Sequence, residues 1–354
     1  MTDFKLPGRL GSPAMSFADD PRADPRIAAV AAMAALAADV EAPGPDPSYE
    51  EALQYAAAFE ASSESLHPSA RELMPDFSDV ESSEQIIKGI DDNDIILYID
   101  RPKDQVGKLP GIVHIHGGGM VIMTAADPNY IRWRKSLAQT GLVIIGVEYR
   151  NGGGRLGNHP FPAGLNDCAA ATRWTHANRG SLGISTITVS GESGGGNLSL
   201  ATAIKARREG WSEQISGVYA LCPYICGHYL HPPKELLSLV ENDTYMLDSQ
   251  MMNALVKVYD PTGEHADNPL AWPLQTSEED LKGLPAHVIS VNELDPLRDE
   301  GLAYYRKLVS AGVAAVAKTV NGTPHGGDMT FVDIAPEITD ETVRSVSGFA
   351  KSVG

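Results

Sequence analysis

Cysteine is scarce in this sequence, which excludes a disulfide framework. Cys168, Cys222 and Cys226 are the only cysteines in 354 residues. Three thiols cannot all pair, and the Cys222/Cys226 spacing fits neither a zinc knuckle nor a C-x-x-C redox pair. They are expected as buried, small apolar side chains. Basic residues are also scarce: 28 Lys and Arg stand against 46 Asp and Glu, a net charge of −18. Such a surface repels nucleic acid and anionic membranes, so neither is an expected partner. Long apolar runs are missing. The stretch Ile27 to Val40 is alanine-rich and too short to span a bilayer, and the opening MTDFKLPGRLGSP has no apolar signal core. A cytoplasmic location is the expectation. The sequence also lacks a Walker loop, a Rossmann fingerprint after a first strand, zinc-finger spacing and internal repeats.

What is present suits a large core. Apolar residues make up 43% of the chain, and the length allows one large α/β domain with additions or two small ones. Residues 1–85 read as a helical extension, with helices over Ala28 to Val40 and Tyr49 to Phe59 and no strand before Ile86. The first 25 residues can equally be a partly disordered arm. A β-pair follows, Gln85–Gly89 with Asp94–Asp100. Beyond it short apolar strands alternate with helices: strands Gly111–His116, Leu142–Glu148, Thr186–Ser190, Ile215–Leu221, Ala286–Val291 and Val313–Val320. Continuous apolar strands alternating with helices predict a mostly parallel sheet covered on both faces. The alternation stops over 223–285, where helical pieces Lys234–Val240 and Ser249–Tyr259 sit among Pro-rich turns. This insertion reads as a cap, and Tyr224, His228, Tyr245, Met246, Met251 and Met252 are candidates for an apolar pocket. The organisation expected is therefore 86–222 with 286–354 as the main domain, and 1–85 with 223–285 as the cap.

Thr186 to Ala203 carries the chemistry. A β-branched strand runs into Gly191-Glu192-Ser193-Gly194-Gly195, and helical spacing of Leu198, Ala201 and Ile204 follows. A serine on a glycine-flanked strand-to-helix turn is an exposed nucleophile at a helix N-terminus. Upstream, His116-Gly117-Gly118-Gly119 ends a strand; glycines there let backbone N–H groups approach a developing oxyanion. A serine nucleophile needs a base and an orienting acid. Five histidines follow Ser193; His325, in the loop after the last strand, lies at the strand edge where α/β sheets place their sites. Asp295 follows the preceding strand and is the expected acid, with Glu293 in reserve. His287 reads as core. His114-x-His116 also resembles a metal pair, but no further ligands accompany it, so no metal or other cofactor is expected.

Taken together, His116–Gly119, Glu148-Tyr149-Arg150, His159–Ala163, Gly191–Asn197, Glu293–Gly301 and His325-Gly326 resemble the hormone-sensitive-lipase-like family of α/β-hydrolase carboxylesterases. The runs GGGM and GESGGGN are most similar to its brefeldin A esterase branch. The resemblance implies an α/β-hydrolase fold with a helical cap, Ser193 as nucleophile, His325 as base and Asp295 as acid. It implies oxyanion donors at Gly118, Gly119 and Gly194; Met120, Tyr149 and Tyr224 are the expected substrate contacts. The implied activity is hydrolysis of short- to medium-chain carboxylic esters by a monomer or homodimer. A non-catalytic binding protein on the same fold, or a lactone or amide hydrolase with the same triad, are the alternatives. Two departures stand out. The elbow carries Glu192 and Gly194 where the family more often has Asp or Thr and then Ala, with Glu192 expected to brace neighbouring loops. The loop Asn151–Asn158 is long and glycine-rich, and is expected near the pocket.

Overall fold

The computed structural model describes residues 5–35 and 40–354. One sheet organises them. Its strands are β1 Val80–Lys88, β2 Asp94–Pro102, β3 Leu109–Ile115, β4 Val143–Glu148, β5 Ile184–Glu192, β6 Gly217–Leu221, β7 Ala286–Asn292 and β8 Ala315–Val320. Across the sheet they lie in the order β1-β2-β4-β3-β5-β6-β7-β8. β1 and β2 are antiparallel to their neighbours, and β3 to β8 are parallel. This is the α/β-hydrolase fold.

The principal helices are α1 Pro25–Ala35, α2 Tyr49–Glu64, α3 Pro128–Gln139, α4 Ala163–Asn178, α5 Gly194–Glu209, α6 Ser249–Tyr259, α7 Arg298–Ser310 and α8 Pro336–Ser352. β4, β5 and β6 are buried almost throughout because helices cover both faces. The larger core joins Val113, Val147 and Val189 of the sheet to Leu165, Leu198, Ala52 and Leu255 of α4, α5, α2 and α6. The opposite face packs Ile112, Ile144 and Tyr219 against Trp133 and Leu137 of α3 and Val343 and Val346 of α8. A third cluster ties the N-terminal segment to the insertion and to the loops after β7 and β8, through Phe17, Ile27, Tyr245, Leu294 and Phe331.

Several boundaries differ from the sequence reading. β1 begins at a buried Val80, and its next residues, Glu81–Glu84, are an exposed edge segment of polar side chains paired with Arg101 to Tyr98. Backbone pairing holds it there, with no apolar alternation to reveal it. Lys234–Leu237 is not helical; only Ser238–Glu241 forms a short turn of helix. A further short helix, His67–Glu72, carries no buried residue and so has no apolar stripe to read. Part of the expected Ala28–Val40 helix, 36–39, lies outside the described residues. The segment before α1 is packed rather than loose. Phe17 meets Tyr245 edge to face at 5.7 Å, and the Arg22 guanidinium bonds Asp20, Asn242 and Glu241. Three free, buried cysteines match the sequence reading, and no helix of the described residues is long and apolar enough to cross a membrane.

Candidate active site

Ser193 sits between β5 and α5 with φ 55° and ψ −116°. The strain, of order 1–3 kcal/mol, is fixed by three backbone bonds. Ser193 N–H donates to Leu221 at 2.9 Å, and its carbonyl accepts from Asn197 at 3.0 Å and Tyr224 at 3.1 Å. The flanking glycines are obligatory. A Cβ on Gly191 would lie 2.5 Å from the Gly195 carbonyl oxygen, and one on Gly195 would lie 2.6 Å from that of His116. The turn therefore presses directly onto the end of β3.

The residues after β3 form the facing wall. Among the described residues the N–H groups of Gly118 and Gly119 find no acceptor within the protein. Gly194 opens α5, so its N–H has no partner one turn back. Gly118 and Gly119 line the same cavity as Ser193, and Gly194 follows it in the chain. A Cβ on Gly194 would fall 2.7 Å from the Gly119 nitrogen and 2.5 Å from that of Met120. Alanine, common at this position in related elbows, has no room here.

His325 and Asp295 come together from the loops after β8 and β7. His325 Nδ1 donates to Asp295 Oδ2 at 2.8 Å, and Asp295 Oδ1 accepts the Leu297 N–H at 2.9 Å. Asp295 is fully buried. Burial, the largest single effect, lowers the imidazole pKa; the Asp295 charge and hydrogen bond, together with the Cys222 sulfur, overcome it and raise the pKa well above the ordinary value. Ser193 and His325 line the same cavity. No hydrogen bond joins them here, and such nucleophile–base contacts commonly tighten only with substrate present. Glu293 is engaged elsewhere, accepting the Gly322 N–H at 2.9 Å. Asp328 bonds Asn292 and Thr342. His287 is buried, with Nδ1 on the Pro285 carbonyl.

The cavity measures about 230 Å³. Its wall is apolar and rich in methionine: Met123, Met246, Met251, Met252 and Met329, with Phe59 of α2 and Leu255 of α6. Tyr224 also lines it, its hydroxyl held by the Met252 carbonyl at 2.5 Å. Met120 and Tyr149, expected as substrate contacts, are not among the residues that line this cavity. Met120 has φ 63° and turns its side chain into the core, while Tyr149 lies behind the glycine loop and donates to the carbonyls of His116 and Gly117 at 3.0 and 3.1 Å. His228 and Tyr245 are also off the cavity wall. The Tyr245 hydroxyl bonds Asp20 instead.

The Asn151–Asn158 loop does not reach the cavity either. It is pinned beneath α2, where Glu60 accepts the N–H groups of Arg155 and Met123, both at 2.7 Å. The Arg155 side chain bonds Thr124, Asp127 and Glu64. Its glycines serve close backbone packing, with Gly152 and Gly153 donating to Met120 and Val121. Glu192 does brace a neighbour: Oε1 accepts the Gly117 N–H at 2.9 Å and Oε2 lies 3.0 Å from His114 Nε2. His116 stacks on Tyr149 at 4.2 Å, and burial pushes its pKa down to about 3, so the ring is neutral.

Two supporting residues escaped the sequence reading. Asn292, at the end of β7, donates to Thr323 and Asp328 and accepts the Gly326 N–H, joining the acid loop to the histidine loop. Asn242, from the insertion, donates to the carbonyls of Glu293 and Asp295. The only available signal for Asn292 was a polar side chain closing an apolar strand. Cys222 packs at the same place: its Sγ, an Asp295 oxygen and a His325 nitrogen lie within 4.8 Å of one another. Burial raises the thiol's pKa, so it stays protonated, and the Asp–His hydrogen bond already occupies the other two groups. The set reads as a proton-transfer cluster more readily than a metal site.

Known proteins match this arrangement. A family model for the α/β hydrolase fold matches residues 112–329. Carboxylesterase NlhH of Mycobacterium tuberculosis is 30% identical over 251 residues, 69% of this chain and 74% of that protein. The solved structure of brefeldin A esterase, described as a bacterial homologue of human hormone-sensitive lipase, superposes with a TM-score of 0.92 at 42% identity, covering 99% of both chains. Esterase Est22 superposes with a TM-score of 0.85 at 36% identity, covering 95% of this chain and 99% of that one. The fold, the order of its motifs and these matches lead to one statement: the chain belongs to the α/β-hydrolase family, in its hormone-sensitive-lipase-like branch.

Proposed function

We propose that this protein is a carboxylesterase that cleaves short- to medium-chain esters through Ser193, His325 and Asp295. The observation that carries the reading is the 2.8 Å His325–Asp295 bond beside a strained Ser193 in one apolar cavity. His325 takes the Ser193 proton as the hydroxyl attacks the ester carbonyl. The N–H groups of Gly118, Gly119 and Gly194 receive the oxyanion. The alcohol leaves protonated by His325, and water activated by the same ring releases the acid. Asp295 holds the tautomer and stabilises the imidazolium. A small cavity walled by flexible methionines suits compact apolar acyl groups of varied shape. α2 and residues 223–285, which supply Phe59, Met246, Met251 and Met252, act as the cap. The free cysteines favour a reducing, cytoplasmic compartment.

A fluorophosphonate tests this directly. The protein should take up one equivalent, and peptide mass spectrometry should place it on Ser193. A non-catalytic binding protein would stay unlabelled, and a label elsewhere would move the nucleophile.

The tight fit at Gly194 gives a second test. Gly194→Ala drives a Cβ into the Gly119 and Met120 amides. Displacing the oxyanion donors should lower kcat on p-nitrophenyl acetate by roughly 10²-fold with little change in KM. A kcat within threefold of the parent would show that the loop yields without consequence.

A further inference from the structure

We infer that Glu192 is a positioning residue: it locks the glycine loop after β3 to the nucleophile turn and so aims the oxyanion donors. The inference rests on the triad reading above and concerns how its oxyanion site is held. Glu192 is next to Ser193 in the chain, is 6% exposed and lies on the cavity wall. Its carboxylate reaches back across the sheet from β5 to β3. One oxygen accepts the Gly117 N–H and the other meets His114 Nε2.

That bond decides where the next amides point. Every polar group of Gly117 is taken. Its N–H goes to Glu192, and its carbonyl accepts the Tyr149 hydroxyl at 3.1 Å and His116 Nδ1–H at 2.9 Å. With Gly117 fully bonded, the unpaired N–H groups of Gly118 and Gly119 are the ones left for the cavity. The loop needs such a tether. Gly118 and Gly119 have φ of 90° and 61°, and glycine pairs of this kind hold no conformation by themselves. His114 in turn holds the carboxylate. It is fully buried, its Nδ1 has no partner among the described residues, and so the proton belongs on Nε2, where it is donated to Glu192. The carboxylate thus accepts two charge-assisted bonds from β3 and its loop, while its own backbone continues into Ser193. Nucleophile and oxyanion donors are held in register through one side chain.

The test compares Glu192→Ala, Glu192→Asp and Glu192→Gln with the parent. Glu192→Asp is one methylene short and cannot meet both partners. Glu192→Gln keeps an oxygen for the Gly117 N–H and removes the charge, its NH₂ donating to His114 Nε2 once the ring proton has moved to Nδ1. Each is measured for p-nitrophenyl acetate turnover and for inhibition by an alkyl trifluoromethyl ketone. On this ketone Ser193 Oγ bonds to the carbonyl carbon, its proton passes to His325, and the carbonyl electron pair becomes the oxyanion. Fluorophosphonate titre of Ser193 counts intact sites. We expect Glu192→Ala and Glu192→Asp to lose roughly 10- to 100-fold in kcat with KM within threefold. The trifluoromethyl ketone should weaken by the same factor, and Glu192→Gln should recover to within fivefold of the parent. A kcat within threefold in both Glu192→Ala and Glu192→Asp overturns the inference. So does a loss that Glu192→Gln does not recover, or one that leaves ketone affinity unmoved. Should Glu192→Ala fail to fold, the Asp and Gln variants decide. A parent that takes no fluorophosphonate overturns the nucleophile assignment, and is recognised before any variant is compared.

Discussion

Ser193→Ala should lower ester turnover by roughly 10⁵-fold or more while leaving a folded protein. The Ser193 side chain makes no hydrogen bond among the described residues, so removing Oγ orphans nothing. The backbone that carries it keeps its bonds to Leu221, Asn197 and Tyr224. What remains is the cavity and the oxyanion donors, which alone supply about 10³-fold over water. The strain at φ 55° is also unrelieved by alanine, so the melting temperature should stay near the parent's. Ser193→Gly removes the same nucleophile and relaxes the turn, and should melt higher. Turnover of p-nitrophenyl acetate and calorimetry on both variants check the pair. Substantial activity in either would sink the nucleophile assignment. A melting temperature for Ser193→Gly below that of Ser193→Ala would sink the strain argument.

Such predictions draw on features that were unevenly legible in the sequence. The strand-to-helix turn that carries Ser193 was readable because its sterics are written in consecutive residues: glycines that no Cβ can replace flank the serine, between an apolar strand and a helix. Asp295 and His325 were readable from position, since parallel strands put their C-terminal loops on one edge. The cavity wall was only half readable. Tyr224, Met246, Met251 and Met252 reach it, whereas Met120 turns inward on a left-handed backbone that no periodicity announces. Tyr149 misled because its place next to the site is behind the loop, where its hydroxyl serves two carbonyls. The Asn151–Asn158 loop misled for a related reason. Its position is set by Glu60 and Glu64, some ninety residues earlier in the chain, and a long-range ion pair leaves no local pattern. Asn292 and Asn242 were invisible because their work is done by amide hydrogen bonds between loops that only tertiary structure brings together.

The same loops show how the site is divided between rigid and adjustable parts. Ser193, Glu192 and the glycine loop are tied to β3 and β5, the middle of the sheet. The histidine and acid loops are tied to each other by Asn292 and to the insertion by Asn242. The cavity wall, by contrast, is rich in methionine, with Met246, Met251 and Met252 supplied by the insertion and Met123 and Met329 by the loops after β3 and β8. Under the proposed esterase reading, the reacting groups are held by hydrogen bonds and substrate fit is left to side chains with many rotamers, an arrangement expected to accept varied acyl groups without loosening Ser193, His325 and Asp295.

Asp295→Asn should lower kcat by about 10⁴-fold, equivalent to roughly 5 kcal/mol of barrier. The size follows from where the amide must point. Oδ1 of Asp295 accepts the Leu297 N–H at 2.9 Å, so an asparagine keeps its oxygen there and turns its NH₂ toward His325. Facing that donor, Nδ1 must become the acceptor and the proton moves to Nε2. An imidazole protonated at Nε2 cannot take the proton of Ser193. The pH profile provides a second readout. The Asp295 charge raises the pKa of His325 against the opposing effect of burial, so parent kcat/KM should climb with pH through a limb above the ordinary histidine value near 6.5. The residual activity of Asp295→Asn should show that limb displaced to lower pH. Stability follows the same sign. A raised folded-state pKa stabilises below the unfolded value and ceases to do so as pH rises through the folded one. The parent's advantage in melting temperature over Asp295→Asn should accordingly be largest near pH 5 and shrink toward alkaline pH. Turnover near the parent's, or an unmoved limb, would transfer the acid role away from Asp295, with Glu293 the first residue to test.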